Sequence, residues 1–295
     1  MSTEPTAKII ADSVSPRGSR VTTMEATLHR FVLSELNTHR VFSRNSASSR
    51  AIPVEKQLAA FTDDPWYPVE WPAEQRGMQG GNELEGEELA DAKKLLEDIH
   101  DFTANAVSEY LNAHPEKSNR LHKSLINRVY EWGQSHKVII TATDWDGFWE
   151  QRCSPLAQPE IRVVAEQMQA AYNGSTPTPL DYGDWHLPYI DNEDYDAAVQ
   201  LIDYVPYNWE EEEHRDEVIE TIKQVSSARC ARVSYLTHDG VRSIEKDIEL
   251  YERLTSARPW HASPLEHVAT PSPATDTPGN LRGWSQFRHI VEKDM

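Results

Sequence analysis

Cysteine is scarce: Cys153 and Cys230 are the only two in a chain of 295 residues. Two thiols are too few for a secreted disulfide scaffold or for a zinc site made of cysteine alone. Long apolar runs are also missing, and none approaches the ~20 residues that a membrane span requires. Basic residues are outnumbered, 29 Lys and Arg against 48 Asp and Glu, which gives a formal net charge of −19. This shortage argues against binding a nucleic-acid polymer, which depends on clustered cations releasing counterions, and against anchoring to an anionic membrane. The first twenty residues lack the apolar stretch and small-residue site of a secretory signal. A soluble protein of a reducing compartment is expected. A small anionic substrate remains open if a few arginines converge.

What is present belongs to a folded chain: 38% hydrophobic residues, with 9 Trp and 11 Tyr. Residues 1–20 have little periodicity and read as a loose or partly extended arm. Residues 21–36 alternate and then turn helical. Three prolines, two Trp and a Gly-Gly pair between Asp63 and Gly81 predict an irregular loop. Apolar spacing predicts a long helix from Glu85 to about Leu111, a second after Pro115, and a third pattern from Asp144 to Tyr172 interrupted at Ser154-Pro155. From Thr176 to Glu220 acids far outnumber the single basic residue Arg215, and the stretch reads as a solvated face or linker.

The most unusual segment runs from Thr38 to Arg50, with three arginines, one histidine and four serines in 13 residues. Hydroxyls, backbone N–H groups and guanidinium forks are what phosphate recognition uses. A helix cap with ordinary surface polarity, or a Ser/Arg run of the RNA-binding kind, fits the same composition. Ala231-Arg232-Val233-Ser234-Tyr235 and His261-Ala262-Ser263-Pro264-Leu265-Glu266-His267 are weaker signals singly. The second reads as a capping box with Ser263 at the N-cap and Glu266 reaching back. Zinc ligation is disfavoured, because His261 and His267 are not at the i, i+4 spacing that shares a helix face.

Together these segments resemble the flavin-dependent thymidylate synthase family. The family signature is Arg-His-Arg, two residues, Ser, one residue, Asn-Glu, one residue, Ser, one residue, Arg; His39, Arg40, Ser43, Asn45, Ser48 and Arg50 fall on it in register. Residues 231–235 and 261–267 resemble two further family segments. Phe148 to Arg152 followed by Ala157 to Ile161 resembles a fourth, and Asn127-Arg128-Val129 a fifth. The order differs, since the 231–267 segments precede the signature in the usual member. This looks like a circular permutation, as in bacteriophage versions, with 176–224 as the added joint. Joining termini that lie close costs only loop entropy. Thr38 and Ser46 stand where the signature has Arg and Glu, and Glu35 where a Gln is common.

The resemblance implies an α+β fold, an antiparallel sheet flanked by long helices, in a homotetramer whose sites form between subunits. It implies one catalytic domain over 21–295: a signature and substrate half at 21–175, the joint at 176–224, and a flavin-side segment at 225–295. It further implies reductive methylation of dUMP to dTMP, with FAD as cofactor and NADPH and 5,10-methylenetetrahydrofolate as co-substrates. Arg152 is the implied catalytic residue, polarising the O2/N3 edge of the pyrimidine so that C5 becomes nucleophilic. Ser48, Arg50 and Arg128 would hold the nucleotide with it. His39, Arg40, Ser43, Asn45, Ser234, His261, Ser263 and Glu266 fall at flavin-side positions. Location in the cytoplasm, the host's if the protein is viral, follows. Ser46 and Glu35 keep open a hydroxymethylase or dCMP-directed variant, and a non-catalytic flavin- or nucleotide-binding protein is the alternative outside enzymes. Cys153 as nucleophile is disfavoured, since an isolated cysteine in an apolar helix is usually a small core residue.

Overall fold

The computed structural model describes residues 6–202, 212–235, 242–274 and 277–294. In chain order it builds β1 (Thr6–Val14), β2 (Arg20–His29), α1 (Leu33–Leu36), β3 (Ser43–Ser46), α2 (Val54–Asp63), α3 (Gly86–Ala113) and α4 (Lys123–Ile126). There follow β4 (Ser135–Ala142), α5 (Asp146–Arg152), α6 (Pro159–Gly174), β5 (Thr178–Pro179) and α7 (Asn192–Ile202). The chain closes with α8 (Glu212–Tyr235), α9 (Ile244–Ser256), β6 (Ala269–Pro271), β7 (Trp284–Gln286) and α10 (Phe287–Asp294). The main sheet has the order β3-β4-β2-β1-β5. It is antiparallel except where β5 joins β1 in parallel over two residue pairs. The fold is therefore α+β, as expected.

Register decides what each sheet face carries. Ile9, Met24 and Ile140 stand side by side across three strands, as do Ala7, Ala26 and Val138. This face is apolar, and Ile161, Val164 and Met168 of α6 close it together with Trp145 and Phe148. Burying each such large side chain is worth roughly 1.5–3 kcal/mol, so this layer is the main core. The opposite face presents Ser13, Thr23, Thr141, Ser43 and Asn45, with Val21 and Ile139 beside them. Cys230 and Val233 of α8 pack on Ile139 there.

Three expectations change. Residues 6–14 are a strand in the sheet and not a loose arm, because hydrogen bonding to β2 along its length supplies order that the sequence pattern does not advertise. The 176–224 stretch, where described, is packed structure: β5 extends the sheet and α7 lies on α8 through Ala198, Val218, Ile222 and Val225. The helix predicted after Pro115 is broken, with α4 flanked by short 3-10 turns. The break expected at Ser154-Pro155 separates α5 from α6, and Pro159 opens α6.

A buried ion network ties the second half together. Arg229 of α8 makes two hydrogen bonds to the Asp194 carboxylate (2.6 and 2.7 Å) and one to Asp247 (2.9 Å). It also donates to the carbonyl of Tyr189 at 2.8 Å. Tyr189 sits at φ 63°, in the left-handed region that non-glycine residues avoid. Its carbonyl takes a further bond from Arg242 (3.0 Å) and its hydroxyl donates to Glu25 (2.9 Å), so contacts from both sides hold the strained turn. Removing one partner of a buried pair leaves its counter-charge uncompensated, at a cost of about 3–5 kcal/mol. Arg229→Met is therefore expected to lower urea-unfolding stability by that order, whereas Arg282→Met, at an exposed ion pair, should change it by less than about 1 kcal/mol.

Histidines sealed beside the sheet give a second prediction. Burial pushes His29 and His186 down to about 4, and His136 and His267 to about 3. Their folded pKa values lie below the unfolded value near 6.5, so between the two the unfolded chain binds more protons. Stability is complete above about pH 6.5 and is lost progressively as pH falls toward 4. Thermal melts from pH 7.5 to 4.5 should show a falling Tm with a slope that shallows in a His136→Phe variant.

Candidate functional site

The signature segment begins on the last turn before β3 and leaves from its far end. Ser43 is buried at the sheet edge and accepts from Gln286 Nε2 at 3.1 Å, which ties β3 to β7. Beyond β3 the chain turns under two backbone bonds: Ala47 N–H to the Lys137 carbonyl (2.9 Å) and Ser48 N–H to the Ser234 carbonyl (2.9 Å). The second joins the signature to the C-terminal end of α8. His261 N–H to the Leu254 carbonyl (2.9 Å) brings the chain back after α9. Ser263 to His267 then form a 3-10 turn whose cap position is Ala262 with no side-chain cap bond. The capping box read from the sequence is not formed, because Glu266 turns instead to Arg288.

These approaches enclose a cavity of about 570 Å³. Asn45, Ser48, Arg50, Ser234, His261 and Ser263 line it, so six predicted residues from three distant segments meet there. His122 and Ser124 complete its polar wall, with Ala51, Ala231, Leu254 and Pro264 as apolar surface. Among the described residues that line the cavity there is no Asp or Glu. Hydroxyls, imidazoles and one exposed guanidinium form a donor-rich wall suited to a phosphorylated ligand. His122 and Ser124 carried no motif; locally they are marked by His122 Nδ1, which accepts from Ser124 N–H at 3.2 Å and meets Ser124 Oγ at 2.8 Å.

Arg152 lies elsewhere. At the end of α5 it lines a second cavity of about 930 Å³ together with Glu35, Glu70, Glu83, Glu160, Trp66 and Trp132. Its guanidinium is held from several sides: Nε donates to His39 Nε2 (3.0 Å), Nη1 to the Glu35 carboxylate (3.0 Å) and Nη2 to Thr38 Oγ1 (3.2 Å). His39 is buried, packed edge-on to Phe148, and its pKa is pushed down to about 4 by burial and by Arg152 and Arg44. It is therefore neutral and able to accept. Thr38, which replaces the signature arginine, serves as another anchor for Arg152.

The remaining predicted residues are dispersed. Arg40 and Arg128 are exposed and line neither cavity. Glu266 is paired with Arg288, and Gln286 donates to its carbonyl at 2.9 Å. Arg232, inside the second motif, bonds Asp247 at 2.6 Å and belongs to the ion network. Cys153 caps α5 against the apolar core, and burial raises its thiol pKa. Among the described residues no group of three His, Cys, Asp or Glu is placed to hold a metal ion, and no helix is long and apolar enough to cross a membrane.

A family model described as thymidylate synthase complementing protein matches residues 14–178, over half of the chain. No curated protein matches. Similar solved structures include two of a UMP/dUMP methylase, PolB from Streptomyces cacaoi, each at 15% identity and covering 58% of this chain. The one bound with 5-Br dUMP has a TM-score of 0.43 over 90% of its own chain, and the one bound with 5-Br UMP 0.46 over 89%. At that level the likeness carries no argument.

Proposed function

We propose, because this chain belongs to the family described as thymidylate synthase complementing protein, that it methylates dUMP at C5 to give dTMP, with FAD, NADPH and 5,10-methylenetetrahydrofolate. The observation that carries this reading is the cavity where Asn45, Ser48, Arg50, Ser234, His261 and Ser263 converge, with no carboxylate among its described lining residues. Its donors fit the phosphate and hydroxyl groups of a flavin nucleotide, and its apolar wall accepts the edge of a flat ring. FAD, when bound, supplies the hydride chemistry; the chain binds, orients and polarises. Arg50 and Ser48 would take phosphate oxygens through charge-assisted and hydroxyl hydrogen bonds. Arg152, its fork fixed by His39, Glu35 and Thr38, would stabilise negative charge developing on the O2/N3 edge of the base.

Arg152 and Arg50 line separate cavities of one subunit, and Arg128 is exposed. A homotetramer that brings the second cavity of one protomer to the first of another would unite them. Exposed Leu95, Ile99 and Phe102, spaced i, i+4, i+7 along α3, support such an assembly. A single permuted catalytic domain is supported by the same cavity, since Ala231, Ser234, Leu254, His261, Ser263 and Pro264 lie beyond the family match and yet line the cavity with the signature residues.

Glu35 favours a second reading. A carboxylate paired with Arg152 at 3.0 Å accepts hydrogen bonds, which suits the amino group of cytosine better than the O4 of uracil. Purified protein supplied with FAD, NADPH and methylenetetrahydrofolate should release tritium from 5-tritiated dUMP and yield dTMP by mass spectrometry. A product from dCMP alone, or a hydroxymethyl adduct, would establish the variant reaction. Protein that fails to acquire flavin absorbance would sink both readings. Arg152→Lys keeps the charge but loses the fork, and should lower kcat by about 10²–10³. Cys153→Ala should retain methyl transfer, because its thiol is an apolar packing group.

A further inference from the structure

A line of hydrogen bonds crosses the polar face of the sheet and ends at the first cavity. From Ser13 on β1 it runs to His186 Nδ1 (2.9 Å), and from His186 Nε2 to Thr23 on β2 (2.8 Å). Thr23 Oγ1 meets Thr141 Oγ1 of β4 at 2.6 Å, and Thr141 meets His267 Nδ1 at 2.8 Å. His267 Nε2 lies 3.1 Å from the Asn45 amide of β3, whose other end meets Ser263 Oγ at 3.2 Å in the cavity wall. Every residue of this line from Ser13 to Asn45 is buried.

The contacts around Asn45 give the line a direction. With its nitrogen toward His267, the two N–H groups of the Asn45 amide are shared among Nε2 (3.1 Å) and the carbonyls of Arg44 (3.1 Å) and Ser263 (3.3 Å), while its oxygen accepts from Ser263 Oγ (3.2 Å). The reverse orientation would press its oxygen against those two carbonyl oxygens. His267 must then accept at Nε2. Being neutral in its buried setting, it carries its one proton on Nδ1 and donates to Thr141. Thr141 donates to Thr23, Thr23 to His186 Nε2, and His186 Nδ1–H to Ser13. Ser263, having spent its proton on Asn45, offers only lone pairs to the cavity. An amide does not relay protons as a hydroxyl or imidazole does, so the line sets orientation and does not conduct.

We propose that His267 is a positioning residue: through Asn45 it fixes Ser263 as a hydrogen-bond acceptor, so that the cavity selects a ligand presenting an N–H or O–H at that point. His186 and the two threonines hold His267 in the required tautomer. The choice of FAD as ligand rests on the function proposed above; the tautomer assignment does not.

Two measurements test this on the full-length protein. Magic-angle-spinning NMR of ¹⁵N-histidine-labelled protein, assigned by the signals lost in His186→Gln and His267→Gln, should show both rings neutral with the proton on Nδ1. An Nε2–H tautomer on His267 overturns the proposal whether or not any ligand is known. FAD titration then reads the consequence. His267→Leu removes the ring nitrogen from the acceptors that share the Asn45 N–H groups and should weaken FAD by about tenfold, as a lost buried partner does. His267→Gln, whose side-chain oxygen can accept from Asn45, should remain within about threefold of the wild type. His267→Leu combined with Ser263→Ala should be no worse than the worse single variant, because one acts through the other. Additive losses, or equal losses for Leu and Gln, would refute the positioning role. If FAD fails to bind the wild type, the functional reading falls and the tautomer decides this one alone.

Discussion

The sheet has two unlike faces, and the rest of the molecule is arranged by that difference. One face is a largely apolar layer that α6 and α5 close, with Thr22 and His136 as its buried polar members. The other buries hydroxyls, an amide and two imidazoles, and each must find a partner because desolvating an unpaired polar group costs more than a hydrogen bond returns. The partners come from remote chain: His186 lies between β5 and α7, and His267 in the turn before β6. Backbone bonding between His186 and Ala269, 2.7 Å in one direction and 3.3 Å in the other, locks those two segments to each other. Satisfying one polar face thus recruits the late segments of the chain to the early strands.

The same recruitment makes the cavity. Its walls are the end of β3, the end of α8 and the turn at Ser263, joined by backbone bonds such as Ser48 to Ser234. None of its described lining residues is an acid, although the chain is strongly acidic. Several acids are consumed in ion pairs: Asp194 and Asp247 with Arg229, Glu35 with Arg152, Glu266 with Arg288. An acidic protein can therefore present a donor-rich pocket, since what a ligand feels at a few ångströms is the local set of groups while distant exposed charge is screened.

Much of this was legible in residues 38–50 and 261–267, because a site made of contiguous polar residues leaves a local trace. The long helix α3 was legible for the same reason, its spacing being regular over 28 residues. The strand at Thr6–Val14 was not, since its order comes from pairing with β2 and not from alternation. Nor was the packed state of the acidic stretch. Its described part is tied to the rest through Arg229, which lies 35 and 18 residues from the two carboxylates it binds. Glu266 misled in the opposite sense: a correct capping pattern lost to a better partner, Arg288, twenty-two residues on.

By itself the sequence carried the motifs on which the family resemblance rests and, through that resemblance, the expectation of an α+β class and of candidate site residues, because a motif is a spacing within a short segment. Tertiary structure decided which of those residues meet. It separated Arg152 from Arg50 and turned Thr38 into an anchor for Arg152. It also gave His267 a neighbour on β4 and another on β3. Those outcomes depend on strand register and on burial of distant polar groups against one another, and neither quantity exists until the chain has folded.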